Sequence, residues 1–143
     1  MNIRIKRTHP AAVIPSYQTN GSAAFDFALV ESVTIAPHAI AKVRTGLVIE
    51  VPDGHVLLIP CRSSSPLKMG FTMANAVGVI DSDYRGPKDE IFLLLLNLTN
   101  EPLALNAGDR VAQGLIMPVM QATFEETEEM DAKNRGGHGS TGR

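Results

Sequence analysis

The sequence predicts an all-β fold, a sandwich or a barrel. Short runs rich in β-forming residues recur between turn signals, and no long stretch carries a helical period. Nine prolines and twelve glycines suit many turns and few helices. The first run is IRIKR at 3–7, followed by AAFDFALV at 23–30 and SVTIAP at 32–37, which Pro37 closes. AKVRTGLVIEV at 41–51 runs into the turn Pro52-Asp53-Gly54, and HVLLIPC follows at 55–61. SPLKMGFTMAN at 65–75 is the one segment that allows a helical turn. VGVID at 77–81 precedes the breaker Gly86-Pro87, and IFLLLLNL spans 91–98. Asn106-Ala107-Gly108-Asp109 then opens the last run, RVAQGLIMPV at 110–119.

At 143 residues the chain has room for one domain with a real core. We read residues 1–124 as that domain and 125–143 as a flexible C-terminal arm, polar and glycine-rich with no apolar face to bury. A formal charge of −2 argues against a general nucleic-acid or membrane-surface binder, so an anionic ligand needs a local cluster of cations and amides. Cys61 is the single cysteine, which excludes a disulfide framework and a cysteine-based zinc site. The N-terminus lacks the apolar core of a signal peptide, and IFLLLL is far too short to span a bilayer. The expected location is cytoplasmic.

Several residues could carry chemistry. Arg62, Ser63 and Ser64 follow the strand VLLIP; guanidinium and hydroxyl groups there can bind phosphate oxygens, although a serine-rich turn that caps its own backbone is the commoner use. In VGVIDSDYRG, Asp81 sits where the apolar strand ends and can orient and deprotonate a water. Tyr84 could pack in the core or offer its ring to a sugar or base, and Asp83 could pair with Arg85 or Arg110. Asp26 interrupts an apolar alternation, either as a satisfied buried carboxylate or as an anchor for metal-bound water. Gln113 is a strand amide that needs partners if buried. In the tail, Gly-Gly-His-Gly-Ser-Thr-Gly at 136–142 offers hydroxyls and closely spaced amides that could order over an anion.

Together the segments AAFDFA, CRSSSPL, VGVIDSDYRG, GDRVAQGLI and RGGHGSTG, in this order from about Gly21 to the C-terminus, resemble the motifs of the trimeric dUTPase family. The resemblance implies a jelly-roll-like β subunit and a homotrimer whose sites lie at subunit interfaces under a C-terminal arm from a neighbour. It implies hydrolysis of dUTP to dUMP and pyrophosphate with Mg²⁺, limiting uracil in DNA and supplying dUMP for thymidylate synthesis. By that similarity Asp81 is the general base for attack on the α-phosphorus, and Tyr84 packs against the deoxyribose. The backbone from Asn75 through Gly78 and Val79 to Asp81 reads uracil. Arg62, Ser63 and Ser64 hold phosphates, with Gln113 assisting from another subunit's strand. Arg135, Gly139, Ser140 and Thr141 clamp from the arm, while Asp26 touches Mg²⁺ through water.

The chain departs from the family pattern in three places. His138 stands where the arm commonly carries a phenylalanine over the uracil, and the arm is shorter than the common form between Arg135 and Gly137. The link GPKDEIF after Tyr84 is longer than in most members and is expected to extend a surface turn without touching the chemistry. Imidazole is smaller and more polar than a phenyl ring and titrates near neutrality. His138→Phe is therefore expected to lower KM for dUTP and to flatten its dependence on pH between about 6 and 8. An unchanged KM profile would remove His138 from the lid. Two rivals share the resemblance, dCTP deamination and a catalytically silent nucleotide-binding scaffold. Leu94 stands where the deaminase glutamate would align, which disfavours the first; Arg62, Asp81, Tyr84 and Gln113 are all present, which disfavours the second.

Overall fold

The structure, a computed structural model, describes residues 1–136. Eleven antiparallel strands and one helical turn form a jelly-roll-like β fold. They are β1 (Ile5–Arg7), β2 (Phe25–Ala28), β3 (Val33–Ile35), β4 (Ile40–Arg44), β5 (Leu47–Ile49), β6 (His55–Pro60), β7 (Phe71–Met73), β8 (Val77–Ile80), β9 (Phe92–Asn97), β10 (Leu103–Leu105) and β11 (Arg110–Pro118). A four-stranded sheet in the order β2-β11-β6-β8 and a three-stranded sheet β4-β9-β7 are the larger layers, with β1-β5 and β10-β3 as smaller pairs. Phe27, Phe71, Leu57, Ile59, Leu93, Leu95 and Val111 are almost fully buried in one core. No helix among the described residues is long and apolar enough to cross a membrane.

The predicted helical turn is Ser65–Met69, a wide turn in which the Gly70 N–H donates to the Ser65 carbonyl, five residues back. The same predicted segment also contains β7, which the helical reading hid. LAL at 103–105 forms β10, too short to stand out beside its breakers. IFLLLLNL reads as one apolar block, yet in β9 Leu93, Leu95 and Asn97 point inward while Phe92 and Leu94 are partly exposed. Asn97 is fully buried and satisfied. Its amide nitrogen donates to the carbonyls of Ile35 (3.0 Å), Ala36 (3.2 Å) and Glu101 (2.8 Å), and its oxygen accepts from the Thr99 N–H at 2.8 Å.

The run 41–51 is two strands, broken at Gly46. Gly46 has φ +68°, and a Cβ there would lie 2.8 Å from Val30 Cγ1 and 2.9 Å from the Cβ atoms of Ala12 and His9. Only glycine fits that backbone in that space. Gly46→Ala is expected to destabilise the fold by about 2–4 kcal/mol, the left-handed cost plus overpacking, read as a lower midpoint of thermal unfolding.

A bulge in β11 prepares the site. Arg110 pairs with Ala28 and Ala112 with Phe27, so Val111 is the extra residue, and Val111 and Ala112 are consecutively buried. Residues three apart on a regular strand point to opposite faces. The bulge instead brings Arg110 and Gln113 to the face that carries Asp26, the direct partner of Gln113.

Candidate active site

The edge strand β8, the turn after it and the facing strand β9 enclose a cleft of about 500 Å³. Asn75, Gly78, Val79, Asp81 and Tyr84 line one side, with Lys42, Phe92 and Leu94 opposite. Among the described residues β8 pairs only with β6, so alternate residues of the strand turn backbone N–H and C=O groups away from the sheet. Gly78 pairs with Ile59, and a Cβ on it would meet Ile59 Cβ at 3.3 Å, so glycine lets the two strands pack closely. The turn entering β8 is tight. Ala76 has φ +60°, its N–H donates to the Met73 carbonyl at 3.1 Å, and the Val77 N–H donates to the Asn75 carbonyl at 2.6 Å. A non-glycine residue in this region is a strained position of the kind that gathers at binding sites.

Asp81 and Tyr84 share the turn that leaves β8, where the Tyr84 N–H donates to the Asp81 carbonyl at 3.2 Å. Asp81 is exposed, and the Tyr84 hydroxyl donates to the Glu90 carbonyl at 3.0 Å. GPKDEIF is thus more than a surface turn: residues 86–89 lie near the surface, but Glu90 at their end is buried and grips Tyr84. The expected pairings of Asp83 do not form. Arg85 reaches Asp53 at 3.0 Å and Glu50 at 4.0 Å, and Arg110 reaches Asp26. Opposite the turn, Lys42 Nζ stands 4.0 Å over the centre of the Phe92 ring, a cation–π contact at the cleft wall. Leu94, also on that wall, offers no acid.

A second cluster forms where β6, β11 and β2 meet. Asp26 is clamped between two guanidiniums, Arg62 Nε on Oδ1 at 3.0 Å and Arg110 Nη1 on Oδ2 at 2.9 Å. Arg62 Nη1 also donates to the Arg110 carbonyl at 3.0 Å, and Gln113 Nε2 to the Cys61 carbonyl at 3.3 Å. Gln113 therefore lies beside Arg62 within this chain. Ser63 is exposed, and the Ser64 hydroxyl makes no capping hydrogen bond to the helical turn it precedes, so the turn leaves both free for a ligand. Arg110 escaped the sequence reading as a site residue; Gly-Asp-Arg looked like an ordinary turn opening a strand. Glu90 escaped as well, its only signal being an acid set directly before an apolar run.

The two clusters lie at opposite ends of β6. Ile80, just before Asp81, pairs with Leu57, whereas Arg62 lies two residues beyond Pro60, the partner of Val77. At about 3.3 Å per residue, Asp81 and Arg62 are roughly 17–20 Å apart along the sheet. Arg135 is exposed, and His138, Gly139, Ser140 and Thr141 lie outside the described residues.

The family model described as dUTPase matches residues 11–142. The chain belongs to the dUTPase family. It is 46% identical to the deoxyuridine 5′-triphosphate nucleotidohydrolase of Wolinella succinogenes over 145 aligned positions, covering 100% of this chain and 95% of that protein. With this full-length likeness inside the family, the chain is a dUTP diphosphatase, an enzyme that hydrolyses dUTP. A dUTPase from Streptococcus mutans, 33% identical, superposes with a TM-score of 0.77 over 84% of this chain and 98% of its own. A Staphylococcus bacteriophage 80alpha dUTPase solved with dUPNHPP shares the fold at 20% identity, with a TM-score of 0.88 over 99% of this chain and 98% of its own.

Proposed function

We propose that dUTP is bound between chains of a homotrimer and is hydrolysed at its α-phosphorus by a water that Asp81 orients and deprotonates. The observation that carries the reading is the single cleft shared by Asp81, Tyr84 and the unpaired edge of β8. In this reading the edge amides and carbonyls from Asn75 to Asp81 pair with the uracil edge, and the Tyr84 ring walls off the 2′ position of the sugar. The water oxygen attacks phosphorus in line, its proton passes to the Asp81 carboxylate, and pyrophosphate leaves. Arg62, Ser63, Ser64 and Gln113 hold the phosphates and neutralise the charge that builds on them. The arm residues Arg135, His138, Gly139, Ser140 and Thr141 close over the nucleotide.

The distance between the clusters supports a shared site. The two clusters stand roughly 17–20 Å apart on one chain, and in this reading Arg62 and Gln113 serve a nucleotide whose base lies on a neighbouring chain. The outer face of the four-stranded sheet exposes Val79 and Met117, apolar surface that another chain would cover. Light scattering is expected to return the mass of three chains.

The residues fit Mg²⁺ in an outer role. Each Asp26 oxygen already accepts from a guanidinium, which opposes direct ligation but leaves lone pairs for metal-bound water. No group of three His, Cys, Asp or Glu side chains gathers as a cage among the described residues, which suits an ion held mainly by triphosphate and water. Bound there, Mg²⁺ would neutralise phosphate charge, and Asp26 would orient its water. Pyrophosphate release measured with dUTP, UTP, dCTP and dTTP tests the specificity: dUTP is expected to be the strongly preferred substrate. Ammonia release from dCTP, or equal turnover of UTP, would overturn it.

A further inference from the structure

The hydroxyl of Tyr84 ends on the carbonyl of Glu90 at 3.0 Å, and Glu90 is held more firmly than any surface turn requires. Glu90 is 6% exposed. Its carboxylate accepts four hydrogen bonds: from Arg44 Nε at 3.0 Å and Nη2 at 2.8 Å, from Thr8 Oγ1 at 2.8 Å and from the Gly46 N–H at 3.0 Å. The Arg44 hydrogen bonds in particular hold this carboxyl below the ordinary range, against the opposing effect of burial, with Thr8 and the Gly46 amide adding to them. The backbone on both sides is fixed too. The Glu90 N–H donates to the Lys88 carbonyl at 2.8 Å, the Ile91 N–H to the Leu47 carbonyl at 2.9 Å, and Thr45 Oγ1 to the Ile91 carbonyl at 2.6 Å. Further out, Asp89 caps the Gly86 N–H at 2.7 Å, and Lys6 Nζ clips the Pro87 carbonyl at 3.0 Å.

We propose that Glu90 is a positioning residue for Tyr84: its buried carboxylate, gripped by Thr8, Arg44 and Gly46, fixes the carbonyl that tethers the Tyr84 hydroxyl and so sets discrimination between deoxyribo- and ribonucleotides. The inference rests on the reading of Tyr84 as the wall beside the sugar. Steric exclusion of a 2′-hydroxyl needs a wall that does not yield, because a misplacement of about 1 Å at a reacting site can change rates by on the order of 10²-fold. Tyr84 is pinned at both ends, by its N–H on the Asp81 carbonyl and by its hydroxyl on the Glu90 carbonyl. Freeing the hydroxyl lets the ring tip outward. Glu90 itself touches neither base nor phosphate in this scheme and acts only through the ring.

The test compares kcat and KM for dUTP and UTP in the wild type and in Tyr84→Ala, Tyr84→Phe, Glu90→Gln and Thr8→Val, each with a thermal melt. Tyr84→Ala is expected to erase most of the preference for dUTP. Tyr84→Phe keeps the ring but loses the tether, and it should reduce the dUTP/UTP ratio of kcat/KM about tenfold, the worth of one well-placed hydrogen bond. Glu90→Gln should reduce the ratio similarly, mainly by lowering KM for UTP, with kcat for dUTP little changed. Thr8→Val removes one of the four donors and should move the ratio in the same direction by a smaller factor, so it and Tyr84→Phe decide the matter if Glu90→Gln does not fold. If Tyr84→Ala erases the preference while the Glu90 and Thr8 variants melt earlier at an unchanged ratio, Glu90 is purely structural and the inference fails. If Tyr84→Ala leaves the preference intact, the sugar-wall reading fails, and the inference falls with it.

Discussion

Asp81→Asn is expected to lower pyrophosphate release from dUTP by roughly 10²- to 10⁴-fold, the usual contribution of a positioned general base. Binding of dUTP should survive. The side chains are isosteric, and the amide keeps an oxygen that can hold the water in place but cannot take its proton at neutral pH. Stability should barely change, because Asp81 is exposed and the turn it opens is held by its backbone carbonyl, which accepts from the Tyr84 N–H at 3.2 Å. Calorimetric binding of dUTP beside steady-state turnover separates the two effects. Turnover that stays at the wild-type level would take the base role away from Asp81. Loss of binding together with turnover would show instead that its charge holds the nucleotide or its metal.

How much of this was legible depends on whether the signal was local. The strand runs are local: apolar and β-branched stretches between Pro and Gly breakers mark β2, β6, β8, β9 and β11 closely. The break inside residues 41–51 is less so, since Gly46 could have been an ordinary strand glycine; it is a break because Val30 on one side and the His9–Ala12 turn on the other crowd it from two separate segments. Asp81 and Tyr84 were legible because their turn is contiguous in sequence. The roles of Arg110 and Glu90 were not, because both arise from pairing across the fold. Arg110 meets Asp26 only once a bulge has turned the strand face, and Glu90 gathers donors from residues 8, 44 and 46. The same cause misled the pairing of Arg85. Asp83 is the near neighbour in sequence, but Asp53 and Glu50 are the neighbours in space. Sequence proximity favours a partner only when the backbone between the two residues points them at each other, and this turn does not.

Mixing two inactive variants is expected to restore activity. On the proposed reading Asp81→Asn lacks the base and Arg62→Ala lacks the phosphate grip at the other end of β6, so each variant alone should be nearly dead. Suppose that each site takes Asp81 from one chain and Arg62 from the next. A trimer that mixes the variants then contains sites where the Arg62→Ala chain supplies an intact Asp81 and the Asp81→Asn chain supplies an intact Arg62. With random assembly at equal amounts, about one site in four is whole, so turnover should rise to about a quarter of the wild-type rate. The mixture must be unfolded and refolded together, since preformed trimers need not exchange chains. Refolding each variant separately and then combining them is the control and should give no recovery. The outcome discriminates sharply, because if one chain carried a complete site, every site in the mixture would hold one defect and none would recover. The geometry makes the shared site the stronger expectation. The two ends of the strand are roughly 17–20 Å apart, which favours one site built from the Asp81 end of one chain and the Arg62 end of the next. Arg62 is moreover already tied to Asp26 at 3.0 Å and to the Arg110 carbonyl at 3.0 Å, and both contacts hold it at the end of β6 away from the Asp81 turn.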